Sequence, residues 1–366
     1  MTSEHDPAPP GPSHSGRRRR VLLVGALALV VVVAATAVAL LLRGDGRTRL
    51  QEAMALTPAD AARLSWTDWA GVRAELGLDL GDDPRTADVR RLLDRGFDAD
   101  LTSTSALVSS AAEMQKGFDF SPATLEWELF RQGDTGASIL MRLADTTDVE
   151  DVASALRALG YAEPDDADGT WSSDSESLPI SARVTPELAF IALDRERGVV
   201  VAADSSAGVD QAREALDEDV AGPDVPDDVV AALGSPLSAA LYTGSQVCRQ
   251  LAMGNADADA QAEADSLLAR AGDVNPLTGF GIAAQPDGSV VVAMGLETEE
   301  QARANADTRA ALATGSAPGQ GGSFPERFTL AETTADGTVV RMVLDPVPGS
   351  YVLSDLSTGP VLFATC

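Results

Sequence analysis

The side chains that most often carry nucleophilic catalysis or bind soft metals are scarce in this chain of 366 residues. Its two histidines, His5 and His14, both fall near the start. Ser-His-Asp and Cys-His nucleophile systems, and zinc or iron held by histidine, therefore have nothing to draw on in the rest of the chain. The one lysine, Lys116, has Glu113 where a Ser-x-x-Lys dyad needs serine. No Gly-x-x-x-x-Gly-Lys-Ser/Thr phosphate loop occurs, and the Gly-rich stretch Gly315 to Gly322 reads as a flexible loop. Two cysteines remain, Cys248 and Cys366.

Carboxylates are abundant, so their spacing must discriminate. A calcium loop needs them at fixed positions. In Asp165 to Glu176, Gly169 at the sixth position puts Asp166 and Asp168 at the third and fifth. The first position is then Pro164 and the twelfth Ser175, which breaks the pattern. Asp94, Asp98 and Asp100 form a second, irregular group. Paired carboxylates for glycoside hydrolysis need two acids facing each other across a groove, and no spacing selects a pair. Trp66 and Trp69 lie three apart and offer either a stacking surface or core packing; with aromatics at 4% of the chain, packing is the expectation. No catalytic, cofactor or metal site is assigned.

The elements that would position any such group begin with a membrane segment. Val21 to Leu42 is a run of 22 uncharged, almost wholly apolar residues. As a helix it would reach roughly 33 Å, enough to cross a bilayer core. Arg17, Arg18, Arg19 and Arg20 stand directly before it, and positive charge beside a span is held inside. Small-residue cleavage sites at Ala35-Thr36-Ala37 and Ala37-Val38-Ala39 lie within the run, so an uncleaved single-pass anchor is expected. The cytoplasmic head 1–20 reads as disordered. Everything after Arg43 would be extracytoplasmic, where two cysteines are oxidised as a pair, and a Cys248–Cys366 disulfide is expected.

Charge divides with topology. Basic residues number 27 against 56 acidic. The head holds four arginines against Glu4 and Asp6, which leaves the exported part 23 basic and 54 acidic residues, net −31. Such a surface repels nucleic acid and anionic lipid headgroups.

Beyond the spacer 43–53 the sequence predicts two related α+β units, 54–216 and 229–366, joined by an acidic linker at 217–228. Three matches in the same order carry the duplication. Leu64 to Arg73 aligns with Ala240 to Arg249, Gly133 to Leu156 with Gln285 to Ala306, and Phe190 to Ala203 with Tyr351 to Ala364. Hairpin-joined strands favour antiparallel sheets with helices packed on one face. The alignment sets Cys248 where the first unit has Val72, with Cys366 ending the last strand.

The stretches Arg17 to Leu42 and Leu64 to Val72 (LSWTDWAGV), and near-exclusive use of arginine over lysine, resemble actinobacterial single-pass membrane-anchored envelope proteins of uncharacterised activity. The resemblance implies no catalytic residue. The expected function is that of a non-enzymatic, membrane-anchored extracytoplasmic protein that binds a partner protein or wall component. The alternatives are a lipid or small-ligand carrier with an apolar cavity and a histidine-free carboxylate hydrolase. No cofactor is implied.

Overall fold

The computed structural model describes residues 47–173, 183–217 and 222–366. Arg17 to Arg20, the expected span Val21 to Leu42 and residues 218–221 of the expected acidic linker lie outside them. Among the described residues no helix is long and apolar enough to cross a membrane.

Thr48–Cys366 forms one compact unit. Its strands are β1 (Arg63–Thr67), β2 (Leu125–Gly133), β3 (Gly136–Leu143), β4 (Trp171–Ser172), β5 (Phe190–Asp194), β6 (Val199–Ala203), β7 (Ser238–Thr243), β8 (Gly279–Ala284), β9 (Val290–Gly295), β10 (Phe328–Asp336) and β11 (Val339–Pro346). The helices are α1 (Arg49–Ala55), α2 (Trp69–Glu75), α3 (Thr86–Asp98), α4 (Ala111–Gly117), α5 (Val149–Leu159), α6 (Ser206–Asp217), α7 (Asp227–Ala232), α8 (Gly244–Gln250), α9 (Ala258–Ala271), α10 (Glu299–Leu312) and α11 (Val352–Leu356).

Among the described residues eleven strands join one antiparallel sheet in the order β10-β11-β9-β8-β7-β1-β2-β3-β6-β5-β4. The seam between β1 and β7 is central, with Ser65 opposite Ala240. Outward from it the halves repeat, β1-β2-β3-β6-β5 against β7-β8-β9-β11-β10, and β4 is the extra strand of the first half. Following the register outward pairs Glu128 with Phe280, Met141 with Met294, and Val200 with Val340.

The register corrects two details of the sequence alignment. The helix caps are Asp68 and Thr243, so the first match slides by one residue. Val72 then meets Val247, both fully buried, and Cys248 meets Arg73. A one-residue slip would have turned every side chain to the opposite face. The third match fails. Tyr351 to Ala364 is not a hairpin but helix α11 and a 3-10 turn at Leu362–Ala364. Val352, Leu353 and Leu356 follow a helical period rather than alternation. The true counterpart of the β5–β6 hairpin is β10–β11.

Helices cover both faces, not one. One core takes Trp69 and Val72 of α2, Val152 and Leu156 of α5, Val247 of α8, Leu312 of α10 and Leu353 of α11. The other takes Leu50 and Met54 of α1, Val209 and Ala212 of α6, and Val229 and Val230 of α7. The reason lies in the strands. Val199–Ala203 and Val290–Gly295 are buried along their whole length, so each needs cover above and below. Val225, at the described end of the acidic linker, is buried in the second core, and α7 begins two residues later.

Candidate functional site

In the first half the connection from α2 to β2 carries α3 and α4, and between them residues 99–110 form a strap that crosses the seam. Thr104 Oγ1 donates to the Trp66 carbonyl at 2.9 Å and shares a 3.2 Å bond with Thr67 Oγ1. From the second half, the Ser238 hydroxyl donates to the Leu101 carbonyl.

Asp100 is the strap's link to α11. It adopts φ 57°, a left-handed conformation that aspartate tolerates better than most residues. Its buried carboxylate accepts from Leu353 N at 2.6 Å, from Ser354 N at 3.2 Å and from the Ser354 hydroxyl. Burial pushes its pKa up, and these donors oppose the rise. Beside it Phe97, in the last turn of α3, packs at a tilt on Tyr351 with ring centroids 5.3 Å apart. Phe97 is 59% exposed, the one large hydrophobic side chain so exposed among the described residues.

Glu128 holds the strap from below. Its side chain leaves β2 into the first core, fully buried. It accepts from Ser105 Oγ at 2.7 Å, Trp69 Nε1 at 3.0 Å and Ala106 N at 2.7 Å. Burial raises its pKa to about 7 despite these donors. A carboxylate so enclosed can position the strap but cannot reach a substrate.

The chain end is fastened separately. Cys248 and Cys366 form a disulfide, with Cα atoms 5.5 Å apart across 118 residues. Cys366 follows the 3-10 turn and ends no strand. Val361 N donates to the Leu251 carbonyl, and Met253 N to Thr365 Oγ1. Arg309 of α10, fully buried, donates to the carbonyls of Phe363 (2.6 Å), Thr365 (3.1 Å) and Asn275 (2.6 Å) and to Asn305 Oδ1 (3.1 Å). Loss of solvent brings its pKa down to about 10.

Trp66 and Trp69 do not form a stacking surface. They lie in opposite cores. Trp66 Nε1 donates to the Pro236 carbonyl, and its ring packs on Trp127. Asp94 and Asp98 stay exposed while Asp100 is taken up by α11. Asp165 to Ser173 are described, and the rest of that acidic stretch lies outside the described residues. Among the described residues no group of three or more His, Cys, Asp or Glu is placed to hold a metal ion. The Gly-rich stretch is a compact turn rather than a loose loop. Ala317 N donates to Gly322 O, Phe324 N to Gly315 O, and Arg327 donates to the carbonyls of Gln320 and Gly321.

Two clefts flank the β5–β6 turn, of about 280 and 420 Å³. Arg195, Glu196 and Arg197 line both, with Arg213 and Asp168 in one and Arg142, Asp145 and Asp148 in the other. Charges of both signs alternate there, and Arg195 is paired with Glu150 at 2.8 Å and Arg197 with Asp194 at 2.8 Å.

No protein-family model matches the chain, and no curated protein matches it. Among solved structures, crystal forms I, III and IV of TP0453 are similar at 8% identity, with TM-scores of 0.40, 0.38 and 0.40. They cover 83% of this chain and 96–97% of that one. Likeness at that level carries no functional argument.

Glu128, Asp100 and Arg309 are the residues that organise these sites, and the sequence reading missed their roles. An acid between Trp127 and Leu129, and an arginine four residues after Asn305 on one helix face, were the available signals.

Proposed function

We infer that the chain is a non-enzymatic, single-pass envelope protein whose folded part, outside the membrane, binds a partner protein. The observation that carries the reading is the contrast between its charged groups and Phe97. Glu128, Asp100 and Arg309 are spent on the chain's own donors and acceptors, while an aromatic pair, Phe97 on Tyr351, stands at the surface beside the strap. Exposed aromatic anchors are the residues on which binding energy concentrates. The disulfide supports the location, since such bonds persist in oxidising compartments. The apolar run Val21 to Leu42 behind four arginines supports an anchor with the N-terminus inside.

Topology is tested on cells stripped of their wall. Added protease should digest the chain beyond Arg43 and spare a tag at the N-terminus, and the denatured, unreduced chain should show no free thiol. Protection of the C-terminal part, or two thiols per chain, would overturn the reading.

A further inference from the structure

The two ends of the sheet are closed differently. In the first half β5 is followed by β4, with Trp171 opposite Ile191 and Ser172 opposite Phe190. β5 is almost wholly enclosed: Ile191, Ala192 and Leu193 are all buried. Carrying the register across the seam maps Phe190–Asp194 onto residues 332–336 of β10. Ile191 becomes Thr333, Ala192 becomes Thr334 and Leu193 becomes Ala335. This stretch lies past the bulge at Leu330/Glu332, so it runs straight along β11. No described strand pairs with its outer side, and Glu332, Thr334, Ala335 and Asp336 are exposed. β4 fills the part of that edge beside Phe190 and Ile191; the counterpart beside Glu332 and Thr333, and the edge on to Asp336, is open in the second half.

We propose that the outer edge of β10 at residues 332–336 receives an extended, basic segment of the partner protein, added antiparallel as an extra strand. This rests on the partner-binding reading above and names a second, separate contact. Three observations fix the occupant. The symmetry-related slot holds an antiparallel extended segment, so the backbone geometry is that of strand addition. Glu332 and Asp336 project on one face with Thr334 between them, and Glu332 has only a long 3.9 Å pair with half-exposed Arg341, so lysine or arginine at alternate positions of the added strand matches the edge. Pairing with a second copy is disfavoured: centred on Thr334, it sets Glu332 of each copy against Asp336 of the other. On the opposite face Thr333 Oγ1 is buried without a hydrogen-bond partner, and that face offers only small side chains to the newcomer, Thr333 and Ala335.

The test uses the full chain and a capped nonapeptide of alternating threonine and lysine, with titration calorimetry as readout. Two controls accompany it: a lysine–proline analogue, which keeps the charges but lacks every second N–H, and the double variant E332K/D336K, whose altered residues are exposed. The chain should bind the threonine–lysine peptide, and either control should weaken binding about tenfold or more. Equal binding of the analogue, or an unchanged affinity of the variant, would reduce the attraction to the acidity of the chain and overturn the proposal. A concentration-dependent dimer of the unaltered chain that the threonine–lysine peptide dissolves would overturn it in favour of self-pairing. None of these outcomes touches Phe97, so failure here leaves the reading above to its own test.

Discussion

Position 128 in the first half and position 280 in the second occupy the same place in the repeated sheet, yet one is a carboxylate and the other an aromatic ring. Phe280 packs on Tyr242, ring centroids 6.3 Å apart, and the second half secures itself at its far end, through Arg309 and the disulfide. Glu128 gives up that packing and gathers three donors, two of them from the strap. The difference teaches that duplicated architecture does not imply duplicated stabilisation. One half is held by a polar hub at the seam, the other by a clamped chain end.

The comparison breaks most readily at the clamp. Arg309→Leu leaves the carbonyls of Asn275, Phe363 and Thr365 buried without their donor, and a loss of about 3–5 kcal/mol is expected in urea unfolding. Replacing both cysteines by serine removes the closure of a 118-residue loop, for roughly 2–5 kcal/mol in the same assay. A loss larger than that of Arg309→Leu would reverse the order of the two fastenings.

The hub sharpens the comparison through pH. The Glu128 pKa lies at about 7 in the folded chain against 4.5 for the ordinary side chain. The folded state therefore holds a proton that the unfolded state releases. Its contribution is full below 4.5 and is lost as pH rises through 7, on the order of 3 kcal/mol in total. Glu128→Gln should remove that slope, so the variant gains on the parent between pH 5 and 8. Parallel stability curves would show that Glu128 stays ionised throughout. Phe280 offers no equivalent, and Phe280→Leu should leave the pH profile unchanged. Asp100→Ala strips the cap from α11 and should cost about 1–2 kcal/mol, with faster proteolysis in the strap.

Much of the fold was legible because the repeat rests on local signals. β1 running into α2, and β3 into α5, reappear as β7 into α8 and β9 into α10, each helix opened by an Asp or Thr cap. Helices on the second face are demanded by the unbroken apolar runs in β6 and β9, a burial signal that the hairpin pattern alone does not carry. The pairing of Tyr351 to Ala364 with the β5–β6 hairpin rested on Asp and Gly positions, which helix α11 also satisfies. Cys248 and Cys366 were legible as a pair from their number and the expected compartment alone. The strap was not, because Glu128, Asp100 and Ser238 come together only through tertiary contacts separated by more than 100 residues in the chain for two of its bonds.

The smallest expected effect on stability is the most informative about function. Phe97→Ala should change unfolding by no more than about 0.5 kcal/mol, since the ring is exposed. A photo-crosslinking phenylalanine analogue at position 97, introduced into the chain in intact cells, tests the partner face directly, with exposed position 300 as the control. The account predicts one discrete protein adduct from position 97 and none from position 300. Adducts of equal yield from both positions, or none from position 97, would contradict it.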